Sequence, residues 1–131
     1  MDGQELQNLE VSTECVQLLM ELGYVAAGCG QKEAALAIFR GVIAARPYSQ
    51  YPWIGQAVTL LNFGNFIEAT KILLNHAIPL SPEPGLAHCF LALSSQFMGQ
   101  KANAMELMQA VLKNSSDPAA IKMAEDFIAN Y

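Results

Sequence analysis

A chain of 131 residues with seven basic and twelve acidic side chains, formal net charge −5, suits one domain and lacks the cationic surplus that nucleic-acid binding needs. Apolar residues make up 53% of it and charged residues only 15%, against about 25% in typical soluble domains. No uninterrupted apolar run reaches the roughly 18 residues of a membrane span, so the apolar excess belongs either to a large helical core or to a surface meant for a partner.

The first stretch, "MDGQELQNLE", is acidic and has neither the cationic start nor the apolar centre of a secretory leader. Asp2, Glu5, Glu10, Glu14 and Glu21 all precede the first base, Lys32; from there, seven acids balance seven bases. Residues 1–11 read as a solvated acidic tail, with docking on a basic partner as the alternative, and one domain covers 12–131. The three cysteines, Cys15, Cys29 and Cys89, are odd in number and have no C-x-x-C spacing, which fits free thiols in a reducing, cytoplasmic compartment, all three expected as buried apolar residues.

From Cys15 onward the chain says nearly the same thing three times. "CVQLLMELGYVAAG" has helical apolar spacing through Leu18, Leu19, Leu22 and Val25; Gly30 follows, and a second helical stretch runs towards Pro47. "YPWIGQAVTLLNF" repeats the first pattern through Trp53, Ala57, Leu60 and Leu61, followed by Gly64 and a second stretch towards Pro79 and Pro82. "GLAHCFLALSSQFM" leads to Gly99 and a third such stretch before Pro118. Alanine stands five residues after each glycine, at Ala35, Ala69 and Ala104. Each unit is therefore a helix, a glycine turn, a second helix pressed on the first at the alanine, and a proline-marked exit. Finally "AAIKMAEDFIANY" predicts an amphipathic helix with Ile121, Ala124, Phe127 and Ile128 on one face, Asp117 as N-cap and Pro118 in its first turn.

This pattern resembles tetratricopeptide (TPR) repeats, whose consensus is W-x2-L-G-x2-Y, then G, A-x3-F, A and P. The first repeat matches at Leu19, Leu22-Gly23, Gly30, Ala35, Phe39, Val42 and Pro47, and the second at Trp53, Ala57, Gly64, Ala69 and Leu73. The second has about one residue inserted near His76 to Pro82. The third keeps Ala92, Gly99, Ala104, Met108 and Val111, with His88 at a position where a bulky residue is usual. The resemblance implies an all-α fold: three TPR-like hairpins, at about 16–49, 50–84 and 85–117, stacked in a short right-handed superhelix and closed by a capping helix over 118–130.

In TPR superhelices the first helix of each repeat lines the concave groove. The resemblance places Gln17, Met20, Tyr24, Ala27 and Gly28 there from the first repeat, and Tyr51, Ile54, Val58, Leu61 and Asn62 from the second. The third contributes Leu86, Cys89, Leu93, Gln96 and Phe97. None carries a formal charge. Met20, Tyr24, Gly55, Leu86 and Phe90 stand where carboxylate-clamp repeats carry Lys, Asn and Arg, so a clamp for chaperone C-termini is not expected. The groove reads as a receptor for an amphipathic helix or extended apolar segment, with Met20, Tyr24, Tyr51, Ile54, Val58, Leu61, Leu86, Leu93 and Phe97 as the contact residues. Filling of the groove by the chain's own termini, and homodimerisation through it, are the alternatives.

Small acidic TPR-like chains of this kind resemble the chaperones of bacterial type III secretion. The needle-subunit branch is the nearer match, through "SSDPA" at Ser115 to Ala119; the translocator branch is usually longer. The resemblance implies a bacterial cytoplasmic protein that holds a polymerisation-prone helical secretion subunit until export, sometimes with a second small helical co-chaperone, and so a role in virulence. A generic TPR scaffold or adaptor, or a self-associating TPR protein, is the competing reading.

No phosphate loop, G-x-S-x-G, H-E-x-x-H or dinucleotide fingerprint occurs. His88 adjoins Cys89, but adjacent helical residues point apart and no second pair completes a metal site; His76 stands alone. No enzyme activity, cofactor or metal is expected.

Overall fold

Three glycines set the plan of the chain. Gly30, Gly64 and Gly99 have φ of 78°, 79° and 81°, a left-handed conformation that side chains with a Cβ rarely adopt. Each ends a helix with the same hydrogen bond: the N–H of Gln31 donates to Ala26 C=O (2.9 Å), that of Asn65 to Leu60 C=O (2.8 Å) and that of Gln100 to Ser95 C=O (2.8 Å). These bonds satisfy carbonyls that a helix end leaves free, and they turn the chain back on itself.

The computed structural model describes residues 11–131, so the acidic tail proposed for 1–11 lies outside the described residues except for Val11. The first hairpin pairs α1 (Thr13–Gly28) with α2 (Lys32–Ala45). The second pairs α3 (Tyr51–Asn62) with α4, which begins as Phe66–Ile72, passes through a π-helical turn, Leu73–Ala77, and closes with Ile78–Leu80. The third pairs α5 (Gly85–Phe97) with α6 (Lys101–Asn114), and α7 (Pro118–Ala129) covers the end of the stack. Within hairpins the two helices pack on each other; between hairpins α1 packs on α3, α2 on α3, α3 on α5 and α4 on α5. The fold is all-helical, as expected.

The second helix of each hairpin presents one buried row. Ala35, Phe39 and Val42 form it in α2, and Ala104, Met108 and Val111 in α6. In α4 the row starts in register, with Ala69 and Leu73, but its next member is Ala77, one residue late. The π turn holds the extra residue that the spacing of the repeats implies. It leaves His76 on the surface, where its ring stacks on Trp53 at a centroid distance of 3.9 Å and an angle of 5°.

Close approach between first helices depends on two further glycines. The Phe39 ring is fully buried against both Gly23 of α1 and Gly55 of α3; a Cβ on Gly23 would stand 2.7 Å from the ring tip, and one on Gly55 would overlap the ring edge. Full burial of such a side chain contributes about 1.5–3 kcal/mol. The core continues through Ile54, Leu60 and Leu73 and then through Cys89, Ala92, Met108 and Ala124, with Leu86 packed against both clusters.

One buried polar link joins the second hairpin to the third. Ser94, with no exposed surface, donates to Phe66 C=O (3.1 Å), and its hydroxyl lies 2.7 Å from that of Thr70. Burying hydroxyls without partners would cost free energy; paired across the α4–α5 contact, they fix its register instead.

Candidate functional site: the first-helix face

Helices α1, α3 and α5 lie side by side, so the nine residues expected to line a groove fall on neighbouring elements. The structure divides them. Tyr24, Tyr51 and Phe97 are exposed, at 39%, 52% and 56% of their surface. Met20, Val58, Leu86 and Leu93 are half-buried. Ile54 and Leu61 are buried, at 1% and 8%, in the core between α3, α4 and α5, and so they are not available as contact residues on this surface. Cys89, placed in the groove by the same reasoning, is also fully buried. The reason is geometric: α3 has a helix on both sides and α4 behind it, so a wider arc of its circumference is enclosed than in an end helix.

Two of the three exposed aromatic rings rest on other rings. Tyr24 meets the buried Phe39 ring edge-on (5.0 Å, 66°), and partial desolvation of its phenol raises the pKa above the usual tyrosine value. Phe97 stacks on Phe66 of α4 (5.3 Å, 26°). Pre-oriented rings of this kind lose little conformational freedom when a partner covers them. None of the nine positions is charged, so the surface offers apolar area and one phenol per tyrosine, not ion pairs.

Glu83 joins two turns. Glu83 precedes α5; its carboxylate accepts from Gly85 N–H (3.1 Å) and Ser116 N–H (3.3 Å), and the bond from the Ser115 hydroxyl, followed by these two, holds its pKa below the usual range. It thereby ties the turn before α5 to the turn before α7. A cleft of about 170 Å³ between them is lined by Glu83, His88, Asn114 and Ser115 among others; desolvation lowers the His88 pKa. The "SSDPA" stretch closes the same turn: Asp117 accepts from Ala119 N–H (3.0 Å), and Ser115 from Asp117 N–H (3.1 Å). Its residues are thus explained by helix capping. Among the described residues no three His, Cys, Asp or Glu side chains are placed to hold a metal ion. None of their helices is long and apolar enough to cross a membrane.

Sequence reasoning missed one surface. Leu18, Leu22 and Val25 of α1, read as helix-packing residues, are 65%, 50% and 59% exposed. Among the described residues α1 has a neighbouring hairpin on one side only, and these side chains are on another.

No family model matches the chain. Among curated proteins it is 30% identical over 112 residues to the human antiviral innate immune response effector IFIT1, a match that covers 79% of this chain and 23% of that protein. The chain therefore spans less than a quarter of that relative. Among solved structures it superposes on SycD, the type III secretion translocator chaperone of Yersinia enterocolitica, with a TM-score of 0.72 at 15% identity over 92% of each chain. SycD in complex with a peptide of the translocator YopD gives 0.66 at 15% identity, over 93% of this chain and 98% of that one. The first TPR domain of Spaghetti (RPAP3), bound to the HSP90 peptide SRMEEVD, gives 0.66 at 16% identity, over 94% and 98%. At such identities the likeness is one of fold, and the fold is that of tetratricopeptide repeats.

Proposed function

We propose that this chain is a bacterial cytoplasmic holding chaperone that covers the apolar face of a polymerisation-prone, helical secretion subunit until export. The observation that carries this reading is that α1, α3 and α5, which lie side by side, bear exposed Tyr24, Tyr51 and Phe97 and half-buried Met20, Val58, Leu86 and Leu93, with no charge at any of these seven positions. Such a surface suits an apolar helix or extended segment, whose burial contributes at about 25 cal/mol per Å² before ordering costs are subtracted. The peptide-bound SycD and RPAP3 domains support peptide binding as a use of this fold. The carboxylate-clamp mode lacks support here, since Met20, Tyr24, Gly55, Leu86 and Phe90 supply no cation. The secretion client would be a needle subunit on the sequence resemblance; the solved likeness is to a translocator chaperone.

The test is affinity purification of the tagged chain from its host, with mass spectrometry of what co-purifies and a polymerisation assay on the recovered protein. A small helical secretion subunit, held in stoichiometric complex, kept from polymerising and released by Phe97→Asp, is the expected result. Recovery of large folded proteins, unaffected by Phe97→Asp, would make the chain a scaffold.

A further inference from the structure

Helix α1 and its C-cap residue, Cys29, carry a second apolar surface. Cys15, Leu18, Leu22, Val25 and Cys29 follow one another at intervals of three, four, three and four residues, which is the seam spacing of a coiled coil. The five are all exposed. They lie away from Gly23 and Ala27, which α1 buries, and Glu14 and Glu21 run between this seam and the side bearing Gln17 and Tyr24. At the other end of the stack α7 covers the last hairpin.

We infer that the seam Leu18–Leu22–Val25 docks an amphipathic helix of a partner protein whose apolar stripe is flanked by lysine or arginine. The interval pattern selects a helix, because knobs spaced in this way fit the holes of another helix and not the two-residue period of a strand. Charge selects a basic one. Glu14 and Glu21 occupy the solvent-side flank of the seam, and α1 contains no lysine or arginine to neutralise them. A second copy of α1 would bring the same two carboxylates and no cation in either orientation, so self-pairing leaves the flanks unmatched, whereas a basic helix completes them. This surface is distinct from the one bearing Tyr24, Tyr51 and Phe97, and the inference does not depend on the chaperone reading.

The probes are two synthetic three-heptad helices with leucine at both seam positions, one with lysine at the flanking positions and one with glutamate, titrated calorimetrically into the full chain. The lysine-flanked helix binds, more weakly as salt rises. Leu22→Asp reduces that affinity by about tenfold or more with circular dichroism unchanged, since Leu22 is half exposed; Glu14→Gln with Glu21→Gln weakens it as well. Phe97→Asp leaves it intact. Equal binding of the glutamate-flanked helix, full binding by the Leu22→Asp variant, or loss through Phe97→Asp overturns the proposal. So does sedimentation of the free chain as a dimer that Leu22→Asp dissociates, which would make a second copy the occupant.

Discussion

The Phe39 ring fills the space that a side chain on Gly55 would need. A β-carbon at Gly55 would overlap the ring edge, although the two residues belong to different hairpins. Glycine is required here for close approach, since its φ is not in the left-handed region. Gly55→Ala should therefore destabilise by about 1–3 kcal/mol, the usual range for overpacking. Phe39→Leu in the same chain should recover part of that loss. Urea denaturation of the two single variants and the double variant measures the coupling; additive effects would show that the ring moves aside freely.

Ile54 and Tyr51 begin the same helix and answer differently to change. Ile54 is 1% exposed and Tyr51 52%. Ile54→Asp buries a carboxylate among apolar side chains and should unfold the chain or leave it with weakened helical dichroism. Tyr51→Asp should keep the dichroism and thermal midpoint within the small range of surface substitutions. A folded Ile54→Asp protein would return Ile54 to the contact surface.

This pair also shows what the sequence made legible. The helices, their order and the glycine turns follow from the spacing of apolar residues and from the residue type that most readily adopts positive φ. Even the π turn has a trace, as the one-residue insertion and late proline of the second repeat. Exposure around each helix is less legible. Ile54 and Leu22 are both aliphatic residues in a first helix, yet one is enclosed and the other half exposed. Which arc of a helix is covered depends on whether it has one neighbour or two, a property of the stack and not of the local pattern. The alternating interval from Cys15 to Cys29 was nevertheless present to be read.

Acidification should weaken the fold from about neutral pH downwards. His88 has a folded pKa depressed by burial, and Glu83 one depressed by its bonds to Ser115, Gly85 and Ser116. For each, the unfolded chain takes up protons first as pH falls, so the stability present above the unfolded pKa is lost through the folded one. The His88 share declines below about pH 6.5, and the Glu83 share below about pH 4.3. His88→Gln should flatten the upper part of the curve of urea midpoint against pH, and Glu83→Gln the lower part. A wild-type midpoint that rises on acidification would contradict both.

Thiol labelling should resolve the cysteines into two classes. Cys15 and Cys29, at the two ends of α1, are exposed and not buried as their apolar character suggested, whereas Cys89 is buried, with Sγ 3.4 Å from Ala120 C=O and a pKa pushed up to about 11, chiefly by desolvation. At pH 8 in native buffer, iodoacetamide should modify Cys15 and Cys29 quickly and Cys89 only after denaturant is added. Mass spectrometry of the labelled peptides identifies the sites. Rapid native labelling of Cys89 would show that α7 lifts readily from α5.

The short glycine turns bear on time as well as on shape. Each joins partners that are adjacent along the chain, and successive hairpins pack on their immediate neighbours. Loop closures are then small and contacts mostly local, the condition under which helical domains fold in microseconds to milliseconds. A linear array of this kind also comes apart from its ends. Amide protons of α1 and α7 should exchange before those of α3 and α4, so the helix that bears the acidic seam would be among the first to open and the last to gain protection without a partner.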